Sequence, residues 1–153
     1  LAPTSEMELH LPRYRDAGVG AVVHTHAPDA VAVGLVTDEL PCIHYQLLLL
    51  GGSVRVAPYA TFGSPELAAH VSEALAGRTA ALMANHGAIT YGADLRAAID
   101  ATVLLEWACG IYLRAAAVRD PRVLDATQQQ AVVEAAVRTR YGSTRSADEQ
   151  ENA

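Results

Sequence analysis

The run Ala21-Val22-Val23-His24-Thr25-His26 ends an apolar, β-branched stretch on two histidines spaced two apart. Side chains alternate faces along a strand, so His24 and His26 point the same way. Their Cα atoms are then about 6–7 Å apart, and two imidazoles at that spacing can converge on one metal ion. Two further groups of suitable chemistry flank the pair: Glu6 in Thr4-Ser5-Glu6, and His86 in Asn85-His86-Gly87. Three imidazoles and a carboxylate with an open coordination position make a catalytic metal site rather than a closed structural one. Neutral imidazoles suit Zn2+, and other divalent transition metals also fit. Such an ion can take both oxygens of an α-hydroxyketone. As a Lewis acid it then stabilises the enediolate formed when a C–C or C–H bond breaks. Glu6 is the carboxylate with a motif of its own, and it can serve as the base that moves the proton.

Each of these residues also has a plainer reading. A lone His-x-His on a strand is more often structural, and only Glu6 and His86 in register tip it toward a metal. Glu6 by itself is an acid at a helix N-terminus, stabilised by about 0.3–1 kcal/mol. His86 can cap a β-turn, which is compatible with ligation. His10 shares a helix face with Glu6 and reads as a buried, hydrogen-bonding histidine. His44 reads as structural and His70 as a surface helix residue. Tyr59 and Phe62 read as packing and turn residues, and Trp107 with Leu104 and Ile111 as core. Ser5 and Ser64 lack a GxSxG context, which argues against a serine hydrolase.

The elements that must position these groups follow from the pattern. Thr4 or Ser5 caps a helix running to about Asp16 and stopped at Gly18, with Pro12 kinking or shortening it. Val19 to His24 is a buried strand, and Pro28-Asp29 opens a short helix through Val36. Pro41 to Tyr45 is extended, and Val54 to Val56 is a strand. Ser64-Pro65-Glu66 starts a helix that ends at Gly77. Ala80–Met83 and Ala88–Tyr91 pair around the Asn85-His86-Gly87 turn. Asp94 caps the longest helix, and Thr127-Gln128-Gln129-Gln130 is a capping box for a last helix closed by Gly142. Residues 1–142 form one domain, and 143–153 are a polar, mobile tail. The chain opens on Leu1-Ala2-Pro3 and reads as a fragment whose N-terminal part is missing.

Composition narrows the partners. A formal charge of −6 with no basic patch excludes nucleic acid and anionic membrane surfaces. No apolar run reaches the roughly 18–20 residues that span a bilayer. Cys42 and Cys109 are too few for a disulfide framework and read as reduced thiols of a cytoplasmic protein. A small anionic substrate is then held locally, by backbone amides, hydroxyls, a metal or single arginines.

Taken in order, the motifs resemble those of class II aldolase/adducin proteins. They are Thr4-Ser5-Glu6 with His10, His24-Thr25-His26, Ile43-His44-Tyr45, Gly51-Gly52, Ala57-Pro58-Tyr59-Ala60-Thr61-Phe62-Gly63 and Ala84-Asn85-His86-Gly87. The resemblance covers the chain up to Gly142. It implies a three-layer α/β/α sandwich with a central, mostly antiparallel sheet, and a ring-shaped homotetramer with active sites between subunits. It implies that His24, His26 and His86 bind Zn2+. Glu6 would be the acid/base toward the metal-bound ketose phosphate, and a metal ligand when substrate is absent. Tyr45 falls on a tyrosine that enters the neighbouring subunit's site and protonates the departing aldehyde oxygen. Tyr141 falls on a C-terminal tyrosine leaning over the same site. Thr4 and Ser5 fall on hydroxyl residues of the phosphate pocket.

The activity so implied is cleavage of a ketose phosphate into dihydroxyacetone phosphate and an aldehyde. Glutamate at position 6 favours the aldolase branch over related sugar-phosphate 4-epimerases, which carry aspartate there. A dehydratase or decarboxylase on the same scaffold, a non-catalytic adducin-like module and a metal-dependent hydrolase are the alternatives. The sequence departs from the family pattern in three places. Thr4 replaces a serine, Gln46 to Leu50 is bulkier than usual, and the loops that complete the phosphate pocket precede the sequence.

Overall fold

Strand β1 (Ala21–Thr25) begins at the apolar stretch and ends one residue short of His26. It pairs antiparallel with β5 (Gly87–Gly92), so that Val22 faces Tyr91 and His24 faces Ile89. β5 pairs antiparallel with β4 (Ala80–Met83), and β4 runs parallel to β3 (Val54–Ala57). The two-residue β2 (Glu39–Leu40) adds antiparallel to β3 and closes a five-stranded sheet of order β1-β5-β4-β3-β2. The sheet is mixed and, as expected, mostly antiparallel. The computed structural model describes residues 4–139. The chain divides after Val123 into two compact units.

Strand alternation sorts the first unit into layers. Val22, Ala57, Ala81, Met83 and Ile89 leave one face of the sheet to pack with Leu67, Val71, Ala74 and Leu75. These last four lie on or beside α3 (Pro65–Ala74), and their spacing of three and four residues gives one apolar helix face. Leu9 of α1 (Met7–His10) joins the same cluster. Thr90 leaves the opposite face, and its hydroxyl donates to the Ala98 carbonyl at 3.0 Å. That face is covered by α4 (Leu95–Ala116), whose Ala98, Leu105, Ala108 and Cys109 are buried. α2 (Pro28–Gly34) packs beside α4 on this face. The expected α/β/α layering is present.

Caps explain where the long helices start. Ser64 accepts from the Leu67 amide at 3.1 Å ahead of Pro65, and Asp94 accepts from the Ala97 amide at 2.8 Å. Four expectations are corrected. The first helix is one turn long, because Pro12 removes a donor; a 3-10 turn at Arg13–Arg15 takes over. Neither Thr4 nor Ser5 caps it; Glu6 holds the N-cap position, with no side-chain cap bond. The stretch expected to be extended from Pro41 through Tyr45 stops at His44, which is extended, and Tyr45 opens a 3-10 segment, Tyr45–Leu50, instead. Trp107 is 41 % exposed rather than core, and its ring packs edge-to-face with His44, centroids 4.9 Å apart.

In the second unit, α5 (Ala126–Thr139) opens on a reciprocal box two residues earlier than the sequence suggests. The Asp125 carboxylate accepts from the Gln128 amide at 2.8 Å, and the Gln128 side chain accepts from the Asp125 amide at 2.9 Å. Both cysteines are free and buried. Burial pushes the Cys109 thiol up to about 12, with the charges of Glu106 and Asp29 adding to the shift. Among the described residues, no helix is long and apolar enough to cross a membrane.

Candidate active site

β1 carries His24 on the same sheet face as Val22, toward α1 and α3. Glu6 stands at the start of α1, so the carboxylate and the ring meet across that layer. His86 comes from the connection between β4 and β5. There Asn85 takes a left-handed backbone (φ 56°), a conformation asparagine tolerates better than most residues. The His86 amide closes the turn onto the Met83 carbonyl at 3.2 Å. Gly87 follows because nothing larger fits: a Cβ there would lie 2.8 Å from His26 Cδ2 and collide with the Thr25 carbonyl. The Asn-His-Gly triplet thus combines a backbone that turns, a side chain that reaches the site and a gap that admits β1.

The outcome is a cluster of four side chains. His24 Nε2 lies 3.0 Å from His26 Nε2 and 3.2 Å from Glu6 Oε2, and His86 Nε2 lies 3.0 Å from Glu6 Oε1. The three rings sit with centroids 4.8–5.1 Å apart. One ligand atom from each of Glu6, His24, His26 and His86 falls within 4.8 Å of the others. The side chains of His24, His86 and Glu6 are only 11–14 % exposed, whereas His26 is exposed at the mouth.

Proton positions follow from one contact. His24 Nδ1 lies 2.9 Å from the Ala88 carbonyl oxygen, which can only accept. Nδ1 therefore carries the proton, and in the neutral ring Nε2 turns a lone pair toward His26 and Glu6. Burial pushes His86 below the ordinary imidazole value of 6.5; His24 and His26 add to this, and Glu6 opposes it. Burial also lowers His10, with His24 adding and Glu6 opposing. Glu6 Oε1 is buried without a hydrogen bond, although the His86 nitrogen is close. Three imidazoles and a carboxylate gathered this closely are a donor set that suits a divalent cation.

The cluster floors a cavity of about 370 Å³ lined by Ser5, Glu6, His26, Tyr59, Phe62 and Asn85, among others. That volume suits a small molecule. Tyr59 and Phe62 are 64 % and 66 % exposed at this cavity rather than packed inside. The sequence offers no sign of this beyond two aromatics in a turn-rich run. Ser5 lines the cavity, while Thr4 Oγ1 accepts from the Glu6 amide at 3.3 Å and is not among the lining residues. Tyr45 does not line the cavity either; it opens its 3-10 segment, 39 % exposed, with its ring 4.5 Å from that of His44. His44 accepts from the Gln46 amide, and His70 lies 3.2 Å from the Pro58 carbonyl, so both serve local structure. Tyr141 lies outside the described residues.

Comparison with known proteins points to one family. Residues 1–113 match the family described as Class II Aldolase and Adducin N-terminal domain. The 5-methylthioribulose-1-phosphate/5-deoxyribulose-1-phosphate aldolase of Rhodospirillum rubrum is 38 % identical over 134 residues, which are 86 % of this chain and 61 % of that protein. The L-fuculose phosphate aldolase of Escherichia coli is 38 % identical over 133 residues, 86 % of this chain and 62 % of that protein. A solved structure of an L-fuculose 1-phosphate aldolase superposes with a TM-score of 0.82 at 34 % identity, covering 87 % of this chain and 63 % of the other. The chain spans about three fifths of the length of these relatives. The chain belongs to the class II aldolase and adducin N-terminal domain family.

Proposed function

We propose that this chain carries the metal centre of an aldehyde-lyase that cleaves a ketose 1-phosphate, such as L-fuculose 1-phosphate, into dihydroxyacetone phosphate and an aldehyde. The observation that carries the reading is the bond from His24 Nδ1 to the Ala88 carbonyl. It turns His24 Nε2 toward His26, His86 and Glu6, as a second partner of a metal-ligating histidine does. In this reading His24, His26 and His86 hold Zn2+, with Glu6 as a fourth ligand in the resting protein. The cation, when bound, supplies Lewis acidity to the hydroxyketone oxygens.

The chain's own residues supply positioning and proton transfer. Glu6 moves a proton to or from the carbon beside the ketone as the neighbouring C–C bond breaks or forms. Its place in the cavity lining, beside His24 and His86, puts the carboxylate within reach of a bound molecule. Ser5 and Thr4 serve the phosphate. Tyr45 and Tyr141 act on the aldehyde oxygen in a neighbouring subunit's site, within a homotetramer; a full chain that is monomeric in solution removes Tyr45 from this role. The exposure of Tyr45 away from its own cavity fits a role in trans. The buried free thiols fit a cytoplasmic protein. The relatives named above are aldolases of ketose 1-phosphates, which supports the substrate class.

The test is a cleavage assay of the Zn2+-loaded full chain over a panel of ketose 1-phosphates with product identification. Dihydroxyacetone phosphate and an aldehyde are expected. An epimer, loss of water or carbon dioxide instead would reassign the reaction to another enzyme of this scaffold.

A further inference from the structure

His26 differs from the other three members of the cluster in how it is held. His24 lies inside β1, and His86 is fixed by a closed turn. His26 falls just after β1, and Ala27 leads from it directly into α2 at Pro28. Its position therefore depends on where α2 begins. That helix has no cap of its own: Ala27 at the N-cap has no side-chain oxygen, and Pro28 has no amide proton. The next two amides, Asp29 and Ala30, would be left without partners.

Both go to one side chain from another element. The Asp29 amide donates to Glu106 Oε1 at 2.9 Å, and the Ala30 amide donates to Glu106 Oε2 at 2.8 Å. Glu106 stands in the middle of α4, more than seventy residues away in sequence. One turn further on, Gly110 lies on the same helix face. A Cβ at Gly110 would collide with the Asp29 carboxylate, so the glycine lets α2 approach. α4 thus provides a seat for the first turn of α2: a carboxylate that grips two amides and a gap that admits Asp29. Charge-assisted bonds of this kind are about twice as strong as neutral ones and are directional.

We infer that Glu106 is a positioning residue for the metal centre, fixing His26 by clamping the start of α2. The inference rests on the reading that His24, His26, His86 and Glu6 hold a divalent cation. Glu106 belongs neither to the cluster nor to the cavity lining, and its two hydrogen bonds reach the site through the α2 backbone.

The experiment measures Zn2+ affinity of the full chain by titration of metal-free protein, and the visible absorption of the Co2+-loaded form. Glu106→Gln keeps the size of the side chain but leaves one amide facing an NH2 group. Its Zn2+ dissociation constant is expected to rise about 10-fold, the low end of the effect of losing a direct outer partner of a metal ligand, and its Co2+ spectrum to change. Glu106→Asp, one methylene too short to reach both amides, should do the same and serves if the glutamine variant does not fold. Asp94→Ala is the control: it removes the N-cap of α4, away from the α2 clamp, and should lower thermal stability with affinity unchanged. Unchanged affinity in the Glu106 variants, or an equal loss in Asp94→Ala, overturns the inference while wild-type binding keeps the metal reading intact. A wild-type chain that binds neither Zn2+ nor Co2+ overturns both.

Discussion

A carboxylate in contact with two imidazoles can be a structural partner or a proton carrier, and the surroundings of Glu6 separate the two. Glu6 lines the cavity, and its two oxygens lie 3.0 Å and 3.2 Å from the rings of His86 and His24, a position from which it can pass a proton to a bound molecule. Glu6→Gln is therefore expected to retain metal while losing about 10²–10⁴-fold in turnover. Parallel metal analysis and steady-state kinetics check this, and near-normal turnover would remove Glu6 from its role. The histidines make a second prediction. Burial holds His86 and His10 below the ordinary value of 6.5. As pH falls through that value, the unfolded chain takes up protons that the folded chain refuses, so stability of the metal-free chain is present above it and lost below. Denaturation midpoints of the metal-free chain should drop as pH falls through 6.5, and drop less in His86→Asn. An identical pH profile in both proteins would contradict the assignment. At this scale the sequence was informative where chemistry and spacing coincide. Glu6, His24, His26 and His86 were all legible as one cluster. Glu106 was not, because a glutamate facing the amides of a distant helix looks like any acid on a long helix.

Elements were legible where local chemistry decides them. Ser64-Pro65-Glu66 and Asp94 mark helix starts by hydrogen bonds within three residues, and both bonds form. Ser64→Ala should cost about 1 kcal/mol in chemical denaturation without altering metal binding, since α3 supports the sheet but contributes no ligand. A loss of metal in that variant would show that α3 holds the site more tightly than its contacts indicate. Elements were misread where a competing effect wins. Thr4 and Ser5 look like caps, but Pro12 limits α1 to one turn and Glu6 takes the capping position. The capping box at residues 127–130 competes with one at Asp125 and Gln128, and the earlier one forms. The expected extended stretch ends before Tyr45, where a 3-10 segment, Tyr45–Leu50, takes over and is closed by Gly51 in a left-handed conformation.

Across the sheet-bearing unit, the fold works as a device for bringing distant residues together. Glu6, His24 and His86 are far apart in sequence, and the sheet order β1-β5-β4 places the strand and the turn side by side while α1 lies over them. Layer order of this kind follows from the alternation of short strands and helices, which is why the α/β class was readable. The strand order was not, since nothing local in β1 says that it pairs with β5 rather than β3. The cavity at the mouth of the cluster is open and rimmed by exposed Tyr59 and Phe62. The charge of −6 makes a concentrated positive feature, such as a bound cation, the natural attractor for an anionic substrate. The measurement that bears most directly on all of this is the transition-metal content of the purified full chain, by mass spectrometry after dialysis against Zn2+ and removal of loose ions. About one ion per chain is predicted for the wild type, with the ion lost in His86→Ala while the chain stays folded. A wild type that retains no metal, or a His86→Ala variant that retains as much, would contradict the account.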